Sequence, residues 1–131
     1  MKVLITDNDA QVRALLRELL RELHDDVLEC ADGHMALRLC ETEQPDLLLM
    51  DIRMPQLNGI ETTRRIIAAH PDLQVLIVTQ YDDDDLRMKA REAGAQGYFL
   101  KDDLLLLQQH LRRLHGRDRY SDTDEYNHQH N

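Results

Sequence analysis

One feature constrains the fold of this chain more than any other. Short, unbroken runs of Val, Ile and Leu alternate with longer stretches whose apolar residues return at helical spacing, and the alternation occurs five times. An unbroken apolar run suits a strand covered on both faces, and strands of that kind are joined by helical crossovers. Val3-Leu4-Ile5 is the first run, followed by Val12, Leu15, Leu16, Leu19, Leu20 and Leu23, a full amphipathic stripe. Val27 to Ala31 reads as the second strand and Asp32-Gly33 as a turn into a helix with Met35, Ala36, Leu39 and Cys40 on one face. Leu47-Leu48-Leu49-Met50, the most apolar run, leads through a loop over 51–59 to a helix carrying Ile60, Ile66 and Ile67, which ends near His70-Pro71. Val75 to Val78 is the fourth strand, with a helix over Leu86 to Ala93 stopped by Gly94. Tyr98-Phe99-Leu100 lies in the fifth strand, and Leu104 to Leu114 forms the last helix. Five strand–helix units in this order predict an α/β fold: a doubly wound, five-stranded parallel sheet with helices on both faces.

The length of 131 residues fits one domain, and 42% apolar with 31% charged residues is ordinary for a globular fold. From Gly116 the composition turns polar, so a domain over 1–115 followed by a disordered tail over 116–131 is expected. The net charge of −9 argues against direct nucleic-acid binding, which needs a basic face. The small basic group Arg112, Arg113, His115, Arg117 and Arg119 suits a helix C-terminus instead. His128 and His130 read as part of the polar tail. No apolar run approaches the roughly 18 residues of a membrane span, and the start reaches Asp7 too early for a secretory signal. Cys30 and Cys40, isolated and without a CxxC pattern, fit reduced thiols, so a cytoplasmic location and no membrane contact are expected.

In a doubly wound sheet the site forms where strands end, at the switch in strand order. Asp7, Asn8 and Asp9 follow the first strand, Asp51 the third, Thr79 the fourth and Lys101 the fifth. Clustered carboxylates repel one another unless a cation neutralises them, and a hard cation with oxygen ligands points to Mg2+. Lys101 and Thr79 suit a phosphoryl group, and an aspartate beside the metal can act as nucleophile and form an acyl phosphate. Asp82 to Asp85 read as a solvated turn with a helix N-cap.

With these residues in view, the sequence resembles the receiver domain of bacterial two-component response regulators. The segment from Leu47 through Asp51, Met54-Pro55 and Gly59 matches that family's phosphorylation segment. The acidic turn after strand one, Val75 to Thr79, and Ala93 to Asp102 match its other blocks, so the likeness spans about residues 2–115. It implies a flavodoxin-like sheet in strand order 2-1-3-4-5. Asp51 would be the phospho-acceptor. Asp7, Asn8, Asp51 and the backbone carbonyl of Arg53 would hold Mg2+, with Asp9 a further candidate ligand whose simpler role is helix capping. Lys101 and Thr79 would contact the phosphoryl group, and Thr79 with Tyr98 would form the switch. A sensor histidine kinase or phosphotransfer protein is the implied phosphodonor, and the last helix the implied surface for a downstream target or dimer partner. Two positions depart from the family pattern. Asn8 stands where a second acid is usual, which removes one negative charge and weakens the implied metal site. Gln80 stands where a small residue is usual, which implies a crowded phosphoryl pocket.

Two other readings stay open. A phosphorylation-independent receiver, acting only as a binding module, would keep the fold with an impaired site. The DxD form of Asp7-Asn8-Asp9 is also similar to haloacid-dehalogenase-like phosphatases, with Asp7 as nucleophile, although Gln11 replaces their usual Thr or Val.

Overall fold

The computed structural model describes residues 1–23 and 26–119, with side chains described through Gly116 outside the gap. Strands and helices alternate along them: β1 (Lys2–Thr6), α1 (Ala10–Arg21), β2 (Asp26–Cys30), α2 (Gly33–Glu43), β3 (Leu47–Met50), α3 (Gly59–Ala69), β4 (Gln74–Thr79), α4 (Asp84–Ala93), β5 (Gly97–Leu100) and α5 (Leu104–Arg119). All strand pairs are parallel and the sheet order is β2-β1-β3-β4-β5. The flavodoxin-like doubly wound sheet expected from the sequence is the architecture observed.

The apolar runs work as strands covered on both sides, because successive side chains point to opposite faces. Val3, Ile5, Leu47, Leu49, Leu76 and Val78 pack with α1 and α5, through Leu16, Leu20, Leu107 and Leu111. Leu4, Leu48, Met50, Val75 and Ile77 face the other way and pack with α2, α3 and α4, through Ala36, Cys40, Ile66, Ala90 and Ala93. Four helices begin on a side-chain cap: Asp9, Asp32, Asn58 and Asp83 each accept from a backbone N–H of the first turn. The acidic run over 82–85 is thereby a cap plus first-turn acids, as its sequence suggests. Gly94, at φ 111°, ends α4 in the left-handed region that glycine adopts without strain.

Details differ from the expectations. β2 begins and ends one residue earlier, at Asp26 and Cys30. Leu15 is 58% exposed and Met35 is 37% exposed, so neither belongs to the buried face its spacing suggests. Helical period identifies residues that share a side, but the sheet covers a narrower stripe than the sequence offers. α5 continues through residues 116–119, where the polar tail was expected to begin, because polar residues continue a helix without an apolar stripe. The rest of that tail, with His128 and His130, lies outside the described residues. No helix among the described residues is long and apolar enough to cross a membrane.

Candidate functional site

The strand order reverses between β1 and β3, and the loops leaving these strands open the crevice in which such sheets place their sites. The sheet ladder runs one residue past the strands here. The Asp51 N–H donates to the Thr6 carbonyl at 2.9 Å, and the Asp7 N–H donates to the Cys30 carbonyl at 3.1 Å. At the other end the Lys101 N–H donates to the Thr79 carbonyl at 2.8 Å. Backbone pairing therefore sets both carboxylates, the ammonium and the hydroxyl-bearing strand end on one edge.

Lys101 closes the cluster. Its Nζ lies 2.8 Å from Asp7 Oδ2 and 3.3 Å from Asp51 Oδ1. Asp7 and Asp51 are buried, at 1% and 5% exposure. Asp7 Oδ1 accepts from the Asp9 N–H at 2.8 Å, and Asp51 Oδ1 accepts from the Ile52 N–H at 2.9 Å. Asp7 Oδ2 has the ammonium beside it but no directed hydrogen bond. Burial, and then the neighbouring Asp7 charge, push the Asp51 carboxyl above its usual range against the opposing pull of Lys101. Burial alone would lower the Lys101 ammonium, but its contacts with Asp7 and Asp51 outweigh that and raise it.

The remaining predicted residues sit around this trio. Thr79 is fully buried at the end of β4, and its Oγ1 accepts from the Tyr81 N–H at 3.3 Å. Tyr98 is half-buried, and its hydroxyl donates to the Tyr81 carbonyl at 2.7 Å. Asn8 is exposed and lines an open groove of about 650 Å3 that also includes Arg53, Met54 and Leu86. Asp9 is exposed and caps α1, with Oδ1 accepting from the Gln11 N–H at 2.9 Å. Gln80 is exposed, and its amide donates to the Tyr81 hydroxyl at 3.0 Å. Two participants, Arg13 and Tyr81, were not singled out from the sequence, and Gly59 was read only as part of the Asp51 segment. Arg13 donates to the Asp7 carbonyl at 2.6 Å, and Tyr81 collects the contacts just described. Gly59 lets α3 start directly against the acidic loop: a Cβ there would lie 1.8 Å from the Asp51 carbonyl oxygen. Its place in the Asp51-to-Gly59 spacing was the available signal; nothing comparable marks Arg13 or Tyr81.

The donor set fits a hard cation. Two carboxylates converge on Lys101, one with a buried oxygen lacking a directed donor, and the neutral, exposed Asn8 follows Asp7 in the loop. Among the described residues no three His, Cys, Asp or Glu side chains form a cage of ligands. Mg2+ needs no such cage, because it is commonly held by one or two carboxylates and retains waters.

The family model for the response regulator receiver domain matches residues 3–112. The chain belongs to that family. Among its curated relatives, the transcriptional regulatory protein LnrK of Bacillus subtilis is 41% identical over 104 residues, covering 78% of this chain and 47% of LnrK. The response regulator GacA of Pseudomonas aeruginosa is 35% identical over 103 residues, covering 77% of this chain and 48% of GacA. The receiver thus spans about half the length of these relatives. Among solved structures, a LuxR-family two-component response regulator from Aurantimonas superimposes with a TM-score of 0.81 at 33% identity, covering 88% of this chain and 84% of that one. The BeF3-activated receiver domain of Klebsiella pneumoniae RstA gives a TM-score of 0.79 at 27% identity, covering 88% and 97%. The chain accordingly carries a two-component receiver domain, a signalling module.

Proposed function

We propose that this receiver takes a phosphoryl group on Asp51 from a phosphohistidine of a histidine kinase or phosphotransfer protein. The observation that carries this reading is the buried trio in which Lys101 contacts both Asp7 and Asp51. In the transfer, a carboxylate oxygen of Asp51 attacks phosphorus, the bond from phosphorus to the donor imidazole nitrogen breaks, and that nitrogen takes a proton. Lys101 bears positive charge toward the oxygens that become most negative. The raised affinity of Lys101 for its proton keeps that charge in place. Asp7, Asp51, the Arg53 carbonyl and Asn8 are the residues that would hold Mg2+, with Asp9 committed to capping α1. When bound, the ion neutralises the carboxylates and the incoming phosphoryl oxygens. Asp7 is read as a ligand and Asp51 as the acceptor because the Asp51 segment, with Met54-Pro55 and Gly59, carries the phosphorylation-segment spacing within the matched receiver.

The switch reading rests on a connected path. Thr79 Oγ1 bonds the Tyr81 N–H, and the Tyr81 carbonyl holds the Tyr98 hydroxyl. Drawing the Thr79 hydroxyl toward a phosphoryl group would disturb Tyr81 and change the population of Tyr98 positions. Leu105 and Leu106, 60% and 54% exposed on α5, are the candidate contact for a downstream partner or second copy.

The test is beryllofluoride with Mg2+, read by amide NMR. Shifts at Asp51 and across Thr79 to Lys101 are expected. No shift in either region at saturating Mg2+ refutes phosphorylation-driven switching, and normal partner binding by Asp51→Ala would establish the phosphorylation-independent reading instead.

A further inference from the structure

Asp7 is held at every polar atom, and one of the holds comes from outside the acidic cluster. Its N–H donates to the Cys30 carbonyl at 3.1 Å, its Oδ1 accepts from the Asp9 N–H at 2.8 Å, and its Oδ2 lies 2.8 Å from Lys101 Nζ. The remaining atom, the backbone carbonyl oxygen, accepts from the Arg13 guanidinium at 2.6 Å. Arg13 lies in the first turn of α1, and its Nε is 3.2 Å from Glu29 Oε1 on β2. Arg17, one turn later, lies 2.5 Å from the other oxygen of Glu29. A single guanidinium thus ties the edge strand of the sheet to the backbone of Asp7.

The position of that carbonyl gives the contact its consequence. β1 ends at Thr6, so the Asp7 carbonyl lies past the strand, in the peptide that leads to Asn8 and Asp9. Turning this peptide would carry the Asp9 N–H away from Asp7 Oδ1 and loosen a buried carboxylate whose other oxygen has no directed donor. Arg13 is half-buried, with 20% side-chain exposure, so its contacts are screened less than those of a surface ion pair.

We propose that Arg13 is a positioning residue for the metal side of the site: anchored on Glu29, it fixes the Asp7–Asn8 peptide and so presents the Asp7 carboxylate to Mg2+. The inference rests on the reading of Asp7 as a Mg2+ ligand. With Asn8 neutral, less charge attracts the ion, and the fixed geometry of Asp7 carries more of its binding. Groups that hold metal ligands in place commonly set affinity by tenfold or more. The charge of Arg13 acts the other way, because a guanidinium repels a divalent cation. Positioning and charge therefore predict opposite signs when Arg13 is replaced.

The test uses the whole chain, stripped of metal and titrated with Mg2+ at constant ionic strength, with amide NMR giving the dissociation constant and thermal unfolding the stability. Arg13→Met removes the donor and the charge. It is expected to weaken Mg2+ binding about tenfold and to shift the Asp9 amide resonance before any Mg2+ is added. Arg13→Lys keeps a donor for the carbonyl and should recover most of the affinity. Arg13→Gln, too short to span both contacts, should weaken Mg2+ binding as Arg13→Met does, and it stands in if Arg13→Met fails to fold. Arg17→Met removes a cation from the same carboxylate and should leave the affinity at the wild-type value. Tighter Mg2+ binding in Arg13→Met would show that its charge alone acts and would overturn the proposal. A lowered thermal midpoint with wild-type affinity, or an equal loss in Arg17→Met, would overturn it as well. If the wild-type chain shows no Mg2+-dependent shift at Asp51 or Lys101, the metal reading fails and the role of Arg13 falls with it; if it binds Mg2+ and Arg13→Met binds equally, the positioning role alone fails.

Discussion

Replacing Lys101 with Met tests whether Asp7, Asp51 and Lys101 form one electrostatic unit. The ammonium is 2.8 Å from one carboxylate and 3.3 Å from the other. At an effective dielectric constant of about 20, each contact is worth roughly 5–6 kcal/mol before desolvation is counted. Desolvating three charges cancels most of that gross attraction, so the net effect depends on what the substitution leaves behind. It leaves two carboxylate side chains, 2% and 5% exposed, without their cation. Removing one partner of a buried ion pair costs about 3–5 kcal/mol. Lys101, at 18% side-chain exposure, sits at the open side of the cluster, which places this case at the low end, about 3 kcal/mol. For a domain of this size that corresponds to a fall in midpoint of about 10 °C. Urea unfolding followed by circular dichroism, near neutral pH with EDTA, measures it directly, provided the slope is unchanged. Adding Asp51→Asn to Lys101→Met should restore at least half the loss, because a neutral amide ends the repulsion. Mg2+ should stabilise Lys101→Met more than wild type. A loss below about 0.5 kcal/mol, within the range of an ordinary surface change, would refute the reasoning. A double variant no more stable than Lys101→Met alone would refute it equally.

Further outcomes follow from the same geometry. Gly59→Ala forces a methyl group to within 1.8 Å of the Asp51 carbonyl oxygen, a backbone atom, and should cost about 2–3 kcal/mol in urea unfolding and shift the Ile52 amide resonance. The Asp51 carboxyl is raised chiefly by burial, so its contribution to stability is fully present below the ordinary carboxylate range and is lost as pH rises through its folded value. Asp51→Asn should therefore be more stable than wild type near neutral pH in EDTA, with the gap closing toward about pH 4, as urea midpoints across pH will show. Burial pushes the Cys40 thiol up to about 11 and raises Cys30 as well, so both should resist iodoacetamide in the native state near neutral pH and react only on unfolding, a difference mass spectrometry resolves.

The positions of Asp7, Asp51, Thr79 and Lys101 were legible because a change of period marks where each strand stops. A parallel register then aligns those ends, and ladder bonds one residue beyond the strands carry the side chains to the same edge. Periodicity has no comparable hold on contacts between loops. Arg53 and Tyr81 lie 28 positions apart in segments without repeating pattern, and the stacking of the Arg53 guanidinium on the Tyr81 ring depends on side-chain direction alone. Exposure was also only partly legible. Leu15 shares the helical spacing of Leu16 and Leu20, yet the sheet and α5 cover the latter two and leave Leu15 in water. Leu105 and Leu106 adjoin buried Leu107 in sequence, but a turn of 100° per residue carries both off the packed side.

The charge at the site gives Asn8 a physical meaning beyond its departure from the family pattern. Without metal, Lys101 opposes two buried carboxylates, and burial first and the Asp7 charge second raise the Asp51 carboxyl against its pull. A third acid beside Asp7 would add to the negative charge in the metal-free state and strengthen the attraction for a divalent ion. The amide at Asn8 removes both effects at once. It leaves the metal-free cluster closer to neutrality, and toward a bound ion it would offer an amide oxygen in place of a charged one. Asp9 does not reverse that, because its carboxylate caps α1, and its N–H helps to fix Asp7. The part of the net charge of −9 that bears on function is therefore small and local: two carboxylates, one ammonium and a neutral amide on the edge where the strand order reverses.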